Sequence, residues 1–430
     1  MSGFAKLKGG RNKLFCAAFF LLGAVTTAVV FLFAKSLSPG FQALSSPAWI
    51  ESPEIAALPD ETGIVGPWGT LEVVKLPLAN PDGNVPDAEA LLRRPRWVFE
   101  QFTEEGLTRF LYSCNLGAVP TKMILNRVNW TTTPTGWAIT PPESAIWFLQ
   151  HRGRRQLYTA LARTPANYAQ CFPFHFPIGQ FDVRLGASDL PPVQVSKIRR
   201  LTYTNDAHVC FADLEAARRV LRTDEFDQLV AILYEIPACR LRLRVAPEAD
   251  VEAVARYWGR GGREKRILPL LQALERSPGG GEIHVADLLP SFARLRLNTY
   301  PDAWNDPTAA RQDCCFTALN FFNETADTNL LNSDYAGQVL NEQYVPVEEK
   351  PTFGDLIMLV DAAGKAAHIC VNIAGNYVFT KNGINAAQPW VLMNLSDMLM
   401  TYCPPGQRLQ LLYLRRKDLA QPSGSSANML

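Results

Sequence analysis

No Cys-x-x-C pair occurs in this chain of 430 residues, and it holds only five histidines. The first absence argues against a zinc ribbon or a thioredoxin-type redox motif. The second leaves an imidazole-based site few candidates. Charge of neither sign is in excess, with 42 Lys and Arg against 41 Asp and Glu and a net charge of +1. A balanced chain has no electrostatic footprint for nucleic acid, so no nucleic acid is expected as a partner. Nine cysteines over this length are too sparse for a disulfide framework. Two of them, Cys314 and Cys315, are adjacent, and ring strain disfavours a bridge between neighbours. Hydrophobic residues at 47% and charged residues at 19% exclude a wholly disordered or collagen-like chain.

Residues Leu14 to Ala34 form a run of 21 without a charge. A helix of that length rises about 30 Å, the thickness of the bilayer's hydrocarbon core. Lys6, Lys8, Arg11 and Lys13 precede it. The pattern predicts a basic cytoplasmic segment over 1–13 and a transmembrane helix over 14–34, with the bilayer as partner and the remaining chain outside. That is a single-pass inner-membrane protein with a periplasmic body. A cleaved signal peptide is the alternative; the run is longer than the usual apolar region and no A-x-A-like site follows it.

Prolines at 39, 47, 53, 59, 67, 77, 81 and 86 make residues 35–90 read as a stalk, with one short strand at Leu71–Leu76. Residues 91–284 read as a mixed α+β domain of unknown role. Apolar spacing predicts helices over Trp97–Tyr112, Ala145–Leu161, Phe226–Tyr234, Pro247–Trp258 and Glu264–Arg276, with Asp213 capping a further one. Alternation predicts strands in Gln180–Leu185, Val193–Tyr203 and Cys239–Val245. Arg152, Arg154, Arg155, Arg199 and Arg200 read as solvated faces, and Gly279–Gly281 closes the domain. Residues 285–418 show a helix from Cys314 through Asn323, an apolar strand after Gly354-Asp355, a hairpin of His368–Ile373 and Tyr377–Lys381, and a last strand at Arg408–Leu414. Residues 419–430 read as a disordered tail. The fold class is α+β.

The chemistry points to the last of these regions. A thiol becomes a nucleophile when its pKa falls, which a helix N-terminus and a nearby imidazole bring about. Cys314 stands at a helix start, and His368 is the one histidine of 285–418. Together they read as nucleophile and general base. Cys315 leads the apolar stripe Cys315, Leu319, Phe322 and reads as a small core residue. A three-residue turn at Ala374-Gly375-Asn376 pairs Ile373 with Tyr377, Cys370 with Thr380 and His368 with Asn382. Asn382 would then orient the ring, with Thr380 on the same face. A two-residue turn would bring Lys381 and Gly383 there instead.

Asp313-Cys314 at a helix start, the strand Gly354-Asp355-Leu356-Ile357 and the segment His368-Ile-Cys-Val-Asn-Ile-Ala-Gly-Asn, in that order, resemble the NlpC-type cell-wall cysteine peptidases, a papain-like family. The resemblance covers about 285–418. It departs at Cys315-Phe316, where the family usually has small residues, and at Thr380, which stands where the family's third polar residue is usually His. The resemblance implies a papain-like domain that hydrolyses amide bonds of peptidoglycan stem peptides through a thioester. Cys314 would attack, His368 would move the proton, and a backbone N–H at the helix start would help hold the oxyanion. The catalytic set expected is Cys314, His368, Asn382 and Thr380. It implies no metal and no cofactor. Two alternatives stay open, a catalytically degenerate domain that binds a peptide or partner and an enzyme acting on lipid acyl groups.

Overall fold

The structure is a computed structural model that describes residues 49–51, 63–79, 88–205, 208–302, 306, 308–362, 364–383, 388–403 and 408–420. Seventeen strands occur among the described residues. The first three are β1 (Trp49–Glu51), β2 (Gly63–Gly66) and β3 (Gly69–Lys75). Six more follow, β4 (Trp97–Glu100), β5 (Trp130–Thr133), β6 (Gly136–Ile139), β7 (Phe174–Pro177), β8 (Thr202–Asn205) and β9 (His208–Phe211). Then come β10 (Cys239–Val245), β11 (Gly281–His284), β12 (Tyr344–Val347) and β13 (Leu356–Asp361). The last four are β14 (Ala366–Ala374), β15 (Tyr377–Lys381), β16 (Trp390–Asn394) and β17 (Arg408–Arg416).

The main sheet runs β1-β17-β13-β14-β15-β16, and β12 shares the β17 edge with β1. Every pairing in it is antiparallel. A second antiparallel sheet runs β11-β10-β3-β2. Two small sheets, β4-β6-β5 and β7-β9-β8, belong to a separate body over 88–234.

Three cores hold these layers. Trp97, Leu107, Tyr158, Phe181, Phe211 and Leu229 centre the 88–234 body. One face of the main sheet, with Met358, Val371, Phe379 and Leu414, packs against Leu71, Leu243, Trp258, Leu271 and Phe316. The opposite face, with Ile357, Leu359, Cys370, Val378 and Val391, packs against Ile236 and the helix Leu395–Tyr402. Because both faces are covered, Leu356–Val360 of β13 and Trp390–Met393 of β16 are continuous apolar runs rather than alternating ones, and β15 is buried along its length.

The expected architecture is corrected in several places. The segment expected to span a membrane, 14–34, lies outside the described residues, as does 1–13. Among the described residues no helix is long and apolar enough to cross a membrane. The longest, Glu264–Glu275, has 12 residues and rises about 18 Å, well short of a bilayer core. Over the described residues the fold is therefore a mixed α/β assembly of two bodies, not a mixed domain followed by a separate papain-like end. The 35–90 stalk is not a free spacer where it is described. The strand β3 pairs with β10 from Lys75↔Cys239 to Thr70↔Arg244, and Leu76 N–H donates to Ala238 at 2.8 Å. The expected break at 284/285 falls inside one core, which joins Leu243, Trp258 and Leu271 to Leu288 and Phe316. Gly279–Gly281 is a turn leading from the helix Glu264–Glu275 into β11. Of the tail 419–430, only Leu419 and Ala420 are described, and they finish a helix Lys417–Ala420.

Local readings differ too. Trp97–Tyr112 splits into β4 and a helix Glu104–Ser113 that Thr103 caps. Ala145–Leu161 is two helices, Glu143–Phe148 and His151–Leu161. Gln180–Leu185 and most of Val193–Tyr203 are helical, within Gln180–Gly186 and Pro192–Arg200. Pro192 sits in the first turn, where its missing N–H costs nothing, and Lys197, Arg199 and Arg200 suit the negative end of that helix. Arg154 is not a solvated face. It is fully buried and pairs with Asp213, whose other oxygen accepts from Tyr158 Oη at 2.7 Å. The helix Leu214–Val220 thus starts at Asp213 without a side-chain cap.

Candidate active site

The helix that carries Cys314 is short. It runs Cys314–Leu319, not through Asn323, and closes on Asn320, whose buried side chain donates back to Phe316 O at 3.0 Å. Six residues support little dipole, so the helix end contributes less to the thiol than a long helix would. Asp313 caps it and accepts from Phe316 N–H at 2.8 Å and from the Cys315 N–H. Asp313 thus engages two N–H groups of the first turn, those of Cys315 and Phe316.

The hairpin beneath the helix turns through Gly375-Asn376, with Gly375 at φ +54°. Ala374 pairs with Tyr377, and the ladder then shifts at Ile373 to Asn372↔Val378 and Val371↔Phe379. The bulged residue compensates for the shorter turn. The register beyond it is the one a three-residue turn would produce. The β14–β15 ladder ends at Val371↔Phe379, and the residues that matter chemically lie past that point.

There His368 is buried, and its Nε2 lies 2.8 Å from Thr380 Oγ1. Asn382 does not hold the ring. Its Oδ1 accepts from the Thr380 hydroxyl at 3.5 Å, one step behind. The Nδ1 atom of His368 is buried, and no protein oxygen or nitrogen bonds it. With Nε2 engaged by Thr380, Nδ1 is the ring atom left for the thiol. If Nε2–H donates to Thr380 and Thr380 to Asn382, Nδ1 keeps its lone pair, as a general base requires. Tyr402 covers the ring from the other side, stacked at 4.1 Å between centroids and 15° between planes.

Cys314 and Cys315 are both half-buried. The Cys314 thiol is held well below the usual thiol range. Hydrogen bonding from Cys315 is the largest cause; the charge of His368, a hydrogen bond from its ring and the Ile369 N–H add to it, against burial. Cys315 moves the other way, as donor to its neighbour and by burial. Of the two adjacent thiols, Cys314 is the one set up to ionise.

Two further charges surround the thiol. Burial and the negative charge of Cys314 push Asp313 up to about 7. Burial pushes Lys381 down to about 7, opposed by the charges of Asp313 and Cys314. Lys381 is fully buried and donates to Gly383 O at 2.6 Å. Its signal in the sequence is the hairpin count, which offers Lys381 as a neighbour of His368 only for a two-residue turn. Tyr402 had none, since its approach to His368 depends on how a distant helix docks.

Gly354-Asp355 is structural. Gly354 has φ +83°, and a side chain there would meet the Phe322 ring. Asp355 is fully buried, with Arg260 at 3.1 Å, Arg415 at 2.9 Å and Thr352 N–H at 2.9 Å. It ties the loop after the helix Val251–Trp258 to β17. Among the described residues no group of His, Cys, Asp and Glu could hold a metal ion.

Compared with known proteins, the chain matches no family model, no curated relative and no solved structure.

Proposed function

We propose that this chain is a cysteine hydrolase of amide or related acyl bonds, with Cys314 as nucleophile and His368 as general base. One observation carries the reading: an imidazole anchored by Thr380 at 2.8 Å stands beside a half-buried thiol that its surroundings favour as thiolate. In the reaction Cys314 passes its proton to Nδ1 of His368 and attacks the carbonyl carbon. The imidazolium returns the proton to the leaving amine, and a thioester remains. Water, deprotonated by the same nitrogen, then releases the acid. Lys381, in its protonated form, places positive charge close to the sulfur. On the NlpC-type resemblance, peptidoglycan stem peptides are the first amides to test, and lipid esters the second class.

The experiment is alkylation of Cys314 by iodoacetamide as a function of pH, read by mass spectrometry of the peptide that holds it. A midpoint well below the usual thiol range of about 8.5 supports the reading, and a midpoint within that range overturns it.

A second reading is a binding protein without turnover. Its support is Asp313, which occupies the N–H groups of Cys315 and Phe316, two of those at the helix start. A reactive thiol with no hydrolysis of stem peptides or lipid esters selects it.

A further inference from the structure

We infer that His175, from the 88–234 body, is a positioning residue for the Cys314–His368 pair, acting through the helix Leu395–Tyr402; the inference rests on the function proposed above. The 88–234 body carries no part of the site, yet two of its imidazoles grip the helix that covers it. The ring of His175, on β7, spans two carbonyls, with Nδ1 at 3.1 Å from Pro173 O and Nε2 at 2.6 Å from Met400 O. A carbonyl only accepts, and the shorter contact assigns the N–H to Nε2, which donates to Met400 O. On the neighbouring strand β9, His208 is fully buried, and its Nε2 lies 3.0 Å from Met400 Sδ. The two rings meet edge to face at 5.4 Å. Backbone and side chain of Met400 are thus both held by the body.

Two residues further along the helix, Tyr402 stacks on His368. Side chains two apart on a helix point about 200° from each other. One side of the helix is therefore fastened to the body while another lays an aromatic plate on the imidazole. Thr380 fixes His368 at Nε2, and the Tyr402 plate fixes the plane of the ring. Together they set where Nδ1 points. A helix released at Met400 lets the ring tilt and weakens its hold on the Cys314 thiolate.

The test uses the full chain and the pH profile of Cys314 alkylation, with melting temperature recorded for each variant. His175→Ala and Tyr402→Leu should each raise the alkylation midpoint by about half to one pH unit, which slows reaction about three- to tenfold at pH values below the wild-type midpoint. The double variant should shift no further than either single one, because both act on the same contact. His175→Gln, which keeps an N–H for Met400 O, should restore the wild-type profile. Should His175→Ala fail to fold, His175→Phe fills the space without a donor and carries the same expectation. A low wild-type midpoint untouched by the His175 variants overturns the inference alone, as do fully additive shifts. An ordinary wild-type midpoint overturns the proposed function itself.

Discussion

Thr380, not Asn382, holds the imidazole of His368, with Oγ1 at 2.8 Å from Nε2. Asn382 touches only the far side of that hydroxyl, at 3.5 Å. Thr380→Val keeps the shape and removes the hydroxyl. It should lower turnover by roughly ten- to a hundredfold, the range of a supporting group. Asn382→Ala should cost less than about threefold, since the Thr380 oxygen can still accept from Nε2–H. A larger loss in Asn382→Ala than in Thr380→Val would reverse the assignment.

The two adjacent thiols should separate by role. Cys314→Ala should abolish hydrolysis and leave the melting curve close to wild type. Cys315→Ala should keep activity but raise the pH at which Cys314 ionises, because the largest support of the Cys314 thiolate is the Cys315 hydrogen bond. Its fold penalty should be about 1 kcal/mol, as for a small half-buried group. Iodoacetamide profiles of the two variants, read peptide by peptide, check both statements.

Asp313 links the site to stability. Its carboxyl is raised from 3.8 to about 7 in the folded chain, so the folded form binds a proton between those values that the unfolded form has lost. The contribution is full below about pH 4 and disappears as pH rises through 7. Asp313→Asn keeps an oxygen for the Phe316 N–H and does not titrate. Urea midpoints at several pH values should show wild type losing stability relative to Asp313→Asn across that window. Parallel pH dependence of the two proteins would contradict it.

Asp355 should be the least replaceable carboxylate of the main sheet. It is fully buried, while Arg260 and Arg415 keep only 17% and 14% exposure. Asp355→Ala leaves two poorly solvated guanidinium groups without their shared partner and should cost about 3–5 kcal/mol. Arg415 has a second carboxylate in Glu349 at 3.1 Å, so Glu349→Ala should cost under about 1 kcal/mol, being an exposed partner. Chemical denaturation of both variants decides it.

Local chemistry in the sequence determined part of this molecule. The alternation Cys-Arg-Leu-Arg-Leu-Arg-Val became β10 over those seven residues, with its leucines inward and arginines outward. The helices Val251–Trp258 and Glu264–Glu275 follow their apolar spacing. Asp313 before Cys314 was legible as a helix start, and His368 and Thr380 as one face of a hairpin. These follow from periodicity and capping, which act within a few residues. Tertiary packing decided the rest. Arg154 sits in a run of surface-like arginines, and only its partner Asp213, from another helix start, makes it an interior residue. Val193–Tyr203 alternates well enough for a strand, but Pro192 and burial of Val195 and Ile198 make it a helix. The bulge at Ile373 fixed the register that turn length alone left open. Tyr402 reaches His368, and His175 the helix that carries Tyr402, only because helix and body dock around the main sheet, and contacts across such distances leave no periodic trace in the chain.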